Sequence, residues 1–299
     1  MLRSVVLAGL AASAAGCAAM ATAEPSPGPL IVEPEGVVSG TVQGQPARLR
    51  IQPNGSSTLV LNPDPASRWH LKSGWIGVVV GVGPVKVRGS TAVVRYGVGG
   101  VEWRRRIAWF ERPAALRADG LLGPTALPHP VVVFRLRPPL AGERQTVLPL
   151  VDQGYGGVGT WLTLGQRRVF VNWALDKPAT TTTAAAGADL ALAYGGRLVG
   201  PASSLAFSFG VERPVRQLEL VQPLELGPLR LSRVLVRTTD YGNASAIPSA
   251  EADASEIVVT AKGRGRRPLS VMQIGTEAMA NCSSLAIDKR RRQIILTCR

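Results

Sequence analysis

The run Arg48-Leu-Arg-Ile-Gln-Pro-Asn-Gly-Ser-Ser-Thr-Leu-Val-Leu61 decides the fold. Its first residues alternate charged and apolar side chains, the period of a half-buried strand. Asn54-Gly55 marks a tight turn, and a short polar piece leads into a second apolar strand. Gly40-Thr-Val-Gln-Gly-Gln-Pro46 comes before it and reads as the hairpin that feeds the strand. Downstream stands Asp119-Gly-Leu-Leu-Gly-Pro-Thr-Ala-Leu127, an apolar piece ended by a glycine.

The rest of the chain fits the same pattern. β-branched residues dominate the apolar runs, Gly and Pro punctuate them, and no long stretch keeps a helical period. That predicts an all-β protein of many short strands. Trp75 to Val82 and Val85 to Val94 form a hairpin through Gly83-Pro84, and Val101 to Phe110 alternates bulky and charged residues as a strand does. Val131 to Leu136, Leu205 to Val211, Val215 to Leu220 and Leu229 to Arg237 are further strands. Short helices are expected near Ala66 to Leu71 and in the Ala-rich stretch before Ala193, and residues 240–268 form an exposed loop.

A search for internal repeats finds the order twice. Trp161-Leu-Thr-Leu-Gly-Gln-Arg-Arg-Val-Phe-Val-Asn172 parallels Gly40 to Ile51. Asp176-Lys-Pro-Ala-Thr-Thr-Thr-Thr183 parallels Pro53 to Thr58 with a slip of about two residues between the anchors, and Met272-Gln-Ile-Gly-Thr-Glu-Ala-Met279 parallels Leu121 to Leu127. The division that follows is an N-terminal unit over 37–152 and a C-terminal unit over 153–299.

This duplicated order resembles the retropepsin-like and pepsin-like aspartic peptidases. In that family a strand runs into Asp-Thr/Ser-Gly-Ala/Ser, and a later apolar strand ending in glycine crosses behind it. The resemblance implies two related β-barrel-like lobes around a cleft. It sets Pro53 at the first catalytic aspartate position, with Asn54, Gly55, Ser56 and Ser57 following along the cleft. In the second lobe it sets Asp176 at the catalytic position, with Lys177, Pro178, Ala179 and Thr180 beside it.

The chemistry of that family needs two carboxylates sharing a proton, because two close like charges cannot both ionise. Pro53 can neither accept nor donate one. The resemblance therefore implies a catalytically impaired homologue that keeps the cleft for an extended peptide or a protein partner. Two other readings stand beside it. One is an active endopeptidase using Asp176 with a second carboxylate, Asp119 or Asp64. The other is an envelope scaffold acting through its basic surface. For Asp176 itself the alternative to a catalytic role is a turn carboxylate loosely paired with Lys177.

Other chemistries find little footing. His70 and His129 are the two histidines, far apart in the chain, and no nucleophile-elbow or phosphate-loop spacing appears. No metal and no cofactor is expected.

Compartment is read from the ends. Arg3 followed by an apolar run and Ala21-Thr-Ala23 fit a signal peptide over residues 1–23, with a Pro-rich segment over 24–36. Ala14-Ala-Gly-Cys17 resembles a lipobox, which would make Cys17 a lipidation site on an outer-membrane lipoprotein rather than a free periplasmic protein. Cys282 and Cys298 remain after the signal and flank a strand, a charged turn and a strand, so a disulfide between them is expected. The formal net charge is +14, which favours acidic envelope surfaces; sparse aromatics and absent recognition motifs argue against nucleic acid. Glu256-Ile-Val-Val-Thr-Ala261 with Lys262 to Arg267 reads as an edge strand with a basic gatekeeper, or as a segment that docks on a sheet edge.

Overall fold

The computed structural model describes residues 27–240, 242–250 and 269–299. The chain runs through β1 (Leu30–Val32), β2 (Val37–Val42), β3 (Gln45–Ile51), β4 (Val60–Leu61), α1 (Pro63–Arg68), β5 (Gly77–Val82), β6 (Val85–Val98) and β7 (Val101–Phe110). It continues with β8 (Gly120–Leu122), β9 (Val131–Arg135), β10 (Arg144–Pro149), β11 (Val151–Asp152), β12 (Val158–Leu164), β13 (Arg167–Trp173) and β14 (Thr181–Thr182). Then come α2 (Ala184–Tyr194), β15 (Gly196–Ala206), β16 (Glu212–Leu226), β17 (Leu229–Arg237), β18 (Val271–Ile274), β19 (Cys282–Asp288) and β20 (Gln293–Cys298). The all-β expectation holds.

The N-terminal half is a sheet in the order β2-β3-β8-β4-β7-β6-β5, and an added β2–β6 pairing closes six of its strands into a barrel. The hairpins are set by turn chemistry. Between β6 and β7 sit Gly99 and Gly100, both at positive φ, as a two-residue turn between twisted strands requires. Asn62 ends β4 and ties down the segment before β8. Its Nδ2 donates to Ala115 O and Ala118 O, both at 2.8 Å, while its Oδ1 accepts from the N–H groups of Ala114 and Ala115. Pro63 then opens α1, earlier than the sequence suggests, because a proline at the first helical position lacks only an N–H that would go unused.

The C-terminal half is a sheet in the order β11-β12-β13-β18-β14-β17-β16-β15. Its pairings repeat those of the first half. β3 lies parallel to β8, and β4 pairs antiparallel with β8 and parallel with β7. Correspondingly β13 lies parallel to β18, and β14 pairs antiparallel with β18 and parallel with β17. Thr183 caps α2 by accepting from Ala186 N–H at 3.3 Å, the expected use of a threonine at that place.

A third sheet, β1-β9-β19-β20-β10, joins the halves. The chain's final hairpin lies between two strands of the N-terminal half, a placement that no local pattern announces. Cys282 and Cys298 face each other across this hairpin and form the expected disulfide, both buried. Buried residues of both halves and of the joining sheet make one connected core, including Leu49, Ile51, Leu122, Phe134, Val171, Trp173, Ile274 and Leu285.

Three expectations are corrected or left aside. Leu205 to Val211 is not a strand; β15 ends at Ala206, and Ser208–Gly210 is a short 3-10 turn at the hairpin tip with Phe209 and Gly210 at positive φ. The loop after β17 is not uniformly exposed, because Ala244 and Ile247 are buried and Ala250 N–H donates to Leu198 O at 2.8 Å. The signal segment, Cys17 and the Glu256 to Arg267 stretch lie outside the described residues.

Candidate functional site: two facing turns under two hairpin tips

After β3 the chain makes a turn in which Gly55 N–H donates to Gln52 O at 2.9 Å. Pro53 and Asn54 are its central residues, and a proline suits the first of these two places because its φ is already set. A side chain at Gly55 would lie 2.6 Å from Gly123 N and 2.7 Å from Leu122 O, so only glycine fits. Ser56 Oγ donates to Thr58 O at 2.6 Å and stays within its own turn. Ser57 N–H donates to Gly154 O at 3.2 Å, in the short turn that joins the halves.

After β13 the second turn, Ala174 to Thr180, takes the matching place. Gly275 is to it what Gly123 is to the first: an added Cβ would lie 2.3 Å from Pro178 O. Thr180 Oγ1 accepts from Gly275 N–H at 3.1 Å. Ala179 and Thr180 also border a cavity of about 330 Å³ with Arg230, Arg233 and Glu277.

The two turns meet. Gln52 Oε1 accepts from Leu175 N–H at 3.2 Å, and Gln52 is buried. Which residue of the first turn matches Asp176 depends on the anchor. Counted from the close approach to Gly123 and Gly275, Pro53 corresponds to Asp176, as the sequence implies. Counted along the strands, where Ile51 lies beside Leu122 and Trp173 beside Ile274, Asn54 does. Neither carries a carboxylate.

The other acids of the first half serve elsewhere. Asp119 accepts from Arg48 N–H at 2.8 Å and from Arg68 at 2.9 Å, beside the middle of β3 rather than at the turn that follows it. Asp64 stands in the first turn of α1. The structure brings neither to the facing turns.

Two hairpin tips are linked to the second turn by a chain of side chains. The β5–β6 tip carries Gly83 at φ +64, and a Cβ there would lie 2.6 Å from Asp240 Oδ2 and 3.1 Å from Arg213 Nε. Asp240 is buried and forms ion pairs with Arg237 and, at 3.5 Å, with Arg213. The β15–β16 tip reaches the opposite way. Phe209 packs on Phe110 with ring centroids 4.6 Å apart, in a small apolar cluster with Val82, Val87, Ala108 and Val211.

Phe207 is the link to the turns. Its ring lies 4.2 Å from Lys177 Nζ and 4.4 Å from the Arg237 guanidinium. Lys177 Nζ also donates to Ala206 O at 3.1 Å. The Lys177 ammonium thus turns toward the hairpin tip. Burial pushes its pKa below the ordinary lysine value and Arg237 adds to that, against an opposing pull from Asp176. Asp176 itself is exposed.

The sequence reading missed Gln52, Phe207, Arg213, Arg237, Asp240 and the role of Gly83. One signal was present: Phe207 and Phe209 stand just before Gly210 in a chain with few aromatics. A charged pair such as Arg237 and Asp240 gives no hint of burial until the fold is known. Among the described residues no group of His, Cys, Asp and Glu is arranged to hold a metal ion, and no helix is long and apolar enough to cross a membrane.

Comparison with protein-family models gives no match, and comparison with curated proteins gives none either.

Proposed function

We propose that this chain is an exported relative of the aspartic peptidases that has lost peptide hydrolysis and keeps an interlobe cleft for an extended peptide or protein segment. The observation that supports this is the meeting of the two turns through Gln52 and Leu175, with an acid, Asp176, in the second turn and none among residues 52–58 of the first. Proton sharing needs a second acid at hydrogen-bond distance. Proline has no ionisable group and asparagine's amide does not titrate in the useful range, so water activation has no base–acid pair. Recognition would then rest on the backbone of residues 53–57 and 176–180 and on the inner edges of the two hairpins.

In the described state Phe207 stands against Lys177. A ligand must therefore displace the β15–β16 tip, which makes the hairpins gates. The same packing gives support to a second reading, a scaffold whose halves are locked by its own hairpins.

The test incubates the protein with denatured casein across acid to neutral pH, beside Asp176→Asn. No cleavage by either is expected; cleavage by the wild type that disappears in Asp176→Asn would mean a working dyad. Photoreactive casein peptides should then crosslink to residues 53–57 or 176–180. Labelling confined to other surfaces would favour the scaffold.

A further inference from the structure

The outer face of the β6–β7 ladder carries a surface that the facing turns do not use. Antiparallel register sets Arg95 directly opposite Arg104 and Val93 opposite Arg106. Directly opposed residues share one face about 5 Å apart, a distance at which like charges repel. Arg106 belongs to the same patch, since its Nη1 donates to Thr91 Oγ1 at 2.9 Å. Gly74 N–H donates to Thr91 O at 2.7 Å, which brings the neighbouring Trp75 to the edge of this face.

Trp75 is 92% exposed and Val93 44%, and all three arginines are exposed. Glu102 is the one carboxylate that the two strands place on this side, and it already accepts from Thr41 Oγ1 at 2.9 Å. Among the described residues neither Arg95 nor Arg104 takes part in an ion pair. This face thus holds opposed cations together beside a protruding indole, with no ion-pair partner for Arg95 or Arg104 among the described residues.

We propose that this face docks on an anionic lipid bilayer, with the arginines on headgroup phosphates and Trp75 and Val93 in the interfacial layer. The chemistry favours a bilayer over a folded protein. Arginine and tryptophan are common at protein interfaces, but the core of such an interface is depleted of charge as a whole, whereas here three exposed arginines stand beside only two exposed apolar side chains. A bilayer surface satisfies both parts. Guanidinium groups pair with phosphate oxygens through two parallel hydrogen bonds, and tryptophan settles at headgroup depth with its ring half apolar and its N–H in water. This inference stands apart from the reading of the two turns.

The experiment is flotation of the full chain with phosphatidylcholine vesicles containing about one-third phosphatidylglycerol, against pure phosphatidylcholine. Wild type is compared with the double variant Arg95→Gln/Arg104→Gln, with Trp75→Ser, and with Arg230→Gln/Arg233→Gln on β17, which loses the same charge elsewhere. Every variant keeps the same N-terminal and basic segments, so their contribution cancels. Each basic group near an anionic surface contributes roughly fivefold, so the Arg95/Arg104 variant should lose at least about tenfold in partitioning. The β17 variant should lose clearly less. Brominated lipid should quench wild-type tryptophan emission, and most of that quenching should vanish in Trp75→Ser. Equal losses in the two double variants would overturn the proposal, since net charge alone would then explain binding. Heparin binding that shows the same arginine dependence, with no quenching of Trp75 by brominated lipid, would overturn it in favour of a soluble polyanion.

Discussion

Gln52 and Leu175 hold the two halves of the chain together at their facing turns: the buried side-chain carbonyl of one accepts the backbone N–H of the other at 3.2 Å. An acceptor removed here leaves the N–H of half-buried Leu175 without its partner, and an unpaired donor shielded from water costs more than the bond itself contributes. Gln52→Ala should therefore destabilise the protein by about 1–3 kcal/mol. Urea unfolding would show it as a lower midpoint at unchanged slope; no shift would mean that water replaces the bond.

Asp240 should matter more. It is buried against Arg237 and Arg213 beneath the Gly83 tip. Removing one member of a buried ion pair strands the other charges, typically at about 3–5 kcal/mol. Asp240→Ala should lower stability by an amount at or somewhat below that range, since Arg213 can reach water. Amide exchange should speed up at residues 82–85 and 237–239 ahead of the joining sheet.

Phe207→Ala tests the gate. Two cation–aromatic contacts at a partly exposed site are together worth about 1–2 kcal/mol, so the fold should survive. The expected readout is Lys177. With the ring gone, acylation of Lys177 by an amine-reactive reagent, followed by mass spectrometry, should become several times faster while Lys86 is unchanged. An unaltered Lys177 rate would mean that the β15–β16 tip does not screen it.

Lys289 supplies a pH signature. It reaches from the β19–β20 turn to donate to Leu127 O at 2.5 Å and Pro124 O at 3.0 Å. Burial, then Arg105, pushes its pKa down to about 8, with Asp152 opposing. The two carbonyls favour the ammonium, so the depression marks how strongly burial acts. Because the folded value lies below the unfolded one, the unfolded chain binds more protons between pH 8 and 10.5, and stability gains from this group as pH rises through that window. Unfolding midpoints measured from pH 7 to 10 should carry this upward contribution. It should be absent in Lys289→Met.

Reduction of the Cys282–Cys298 bridge opens a loop with a sequence separation of 16 residues. Loop-closure entropy for that length predicts a loss of about 3 kcal/mol. Because the hairpin lies inside the joining sheet, Cys282→Ser/Cys298→Ser should loosen β9 and β10 as well as β19 and β20, visible as faster amide exchange at Val132 and Leu148.

Much of the fold was legible from local pattern. Val101 to Phe110 matches β7 because alternation and β-branching act on adjacent residues, and the disulfide followed from two cysteines flanking one hairpin. The glycines that end the two apolar pieces were legible too, since at Gly123 and Gly275 a backbone approaches within a Cβ's reach. Leu205 to Val211 went wrong for a physical reason: its aromatic and β-branched residues are apolar because they pack on the other half's Phe110, not because they extend a strand.

The sequence by itself determined the strand-rich class, the places of many of its turns and the cysteine pair, because each depends on neighbouring residues or on residue identity alone. Only the tertiary structure decided that the last hairpin lies between β9 and β10, that Gln52 reaches Leu175, and that Phe207 stands between Lys177 and Arg237. Those contacts join residues tens to well over a hundred positions apart, and their side chains carry no local signature of partner. Burial and charge pairing exist only once distant strands have closed the barrel and met across the joining sheet.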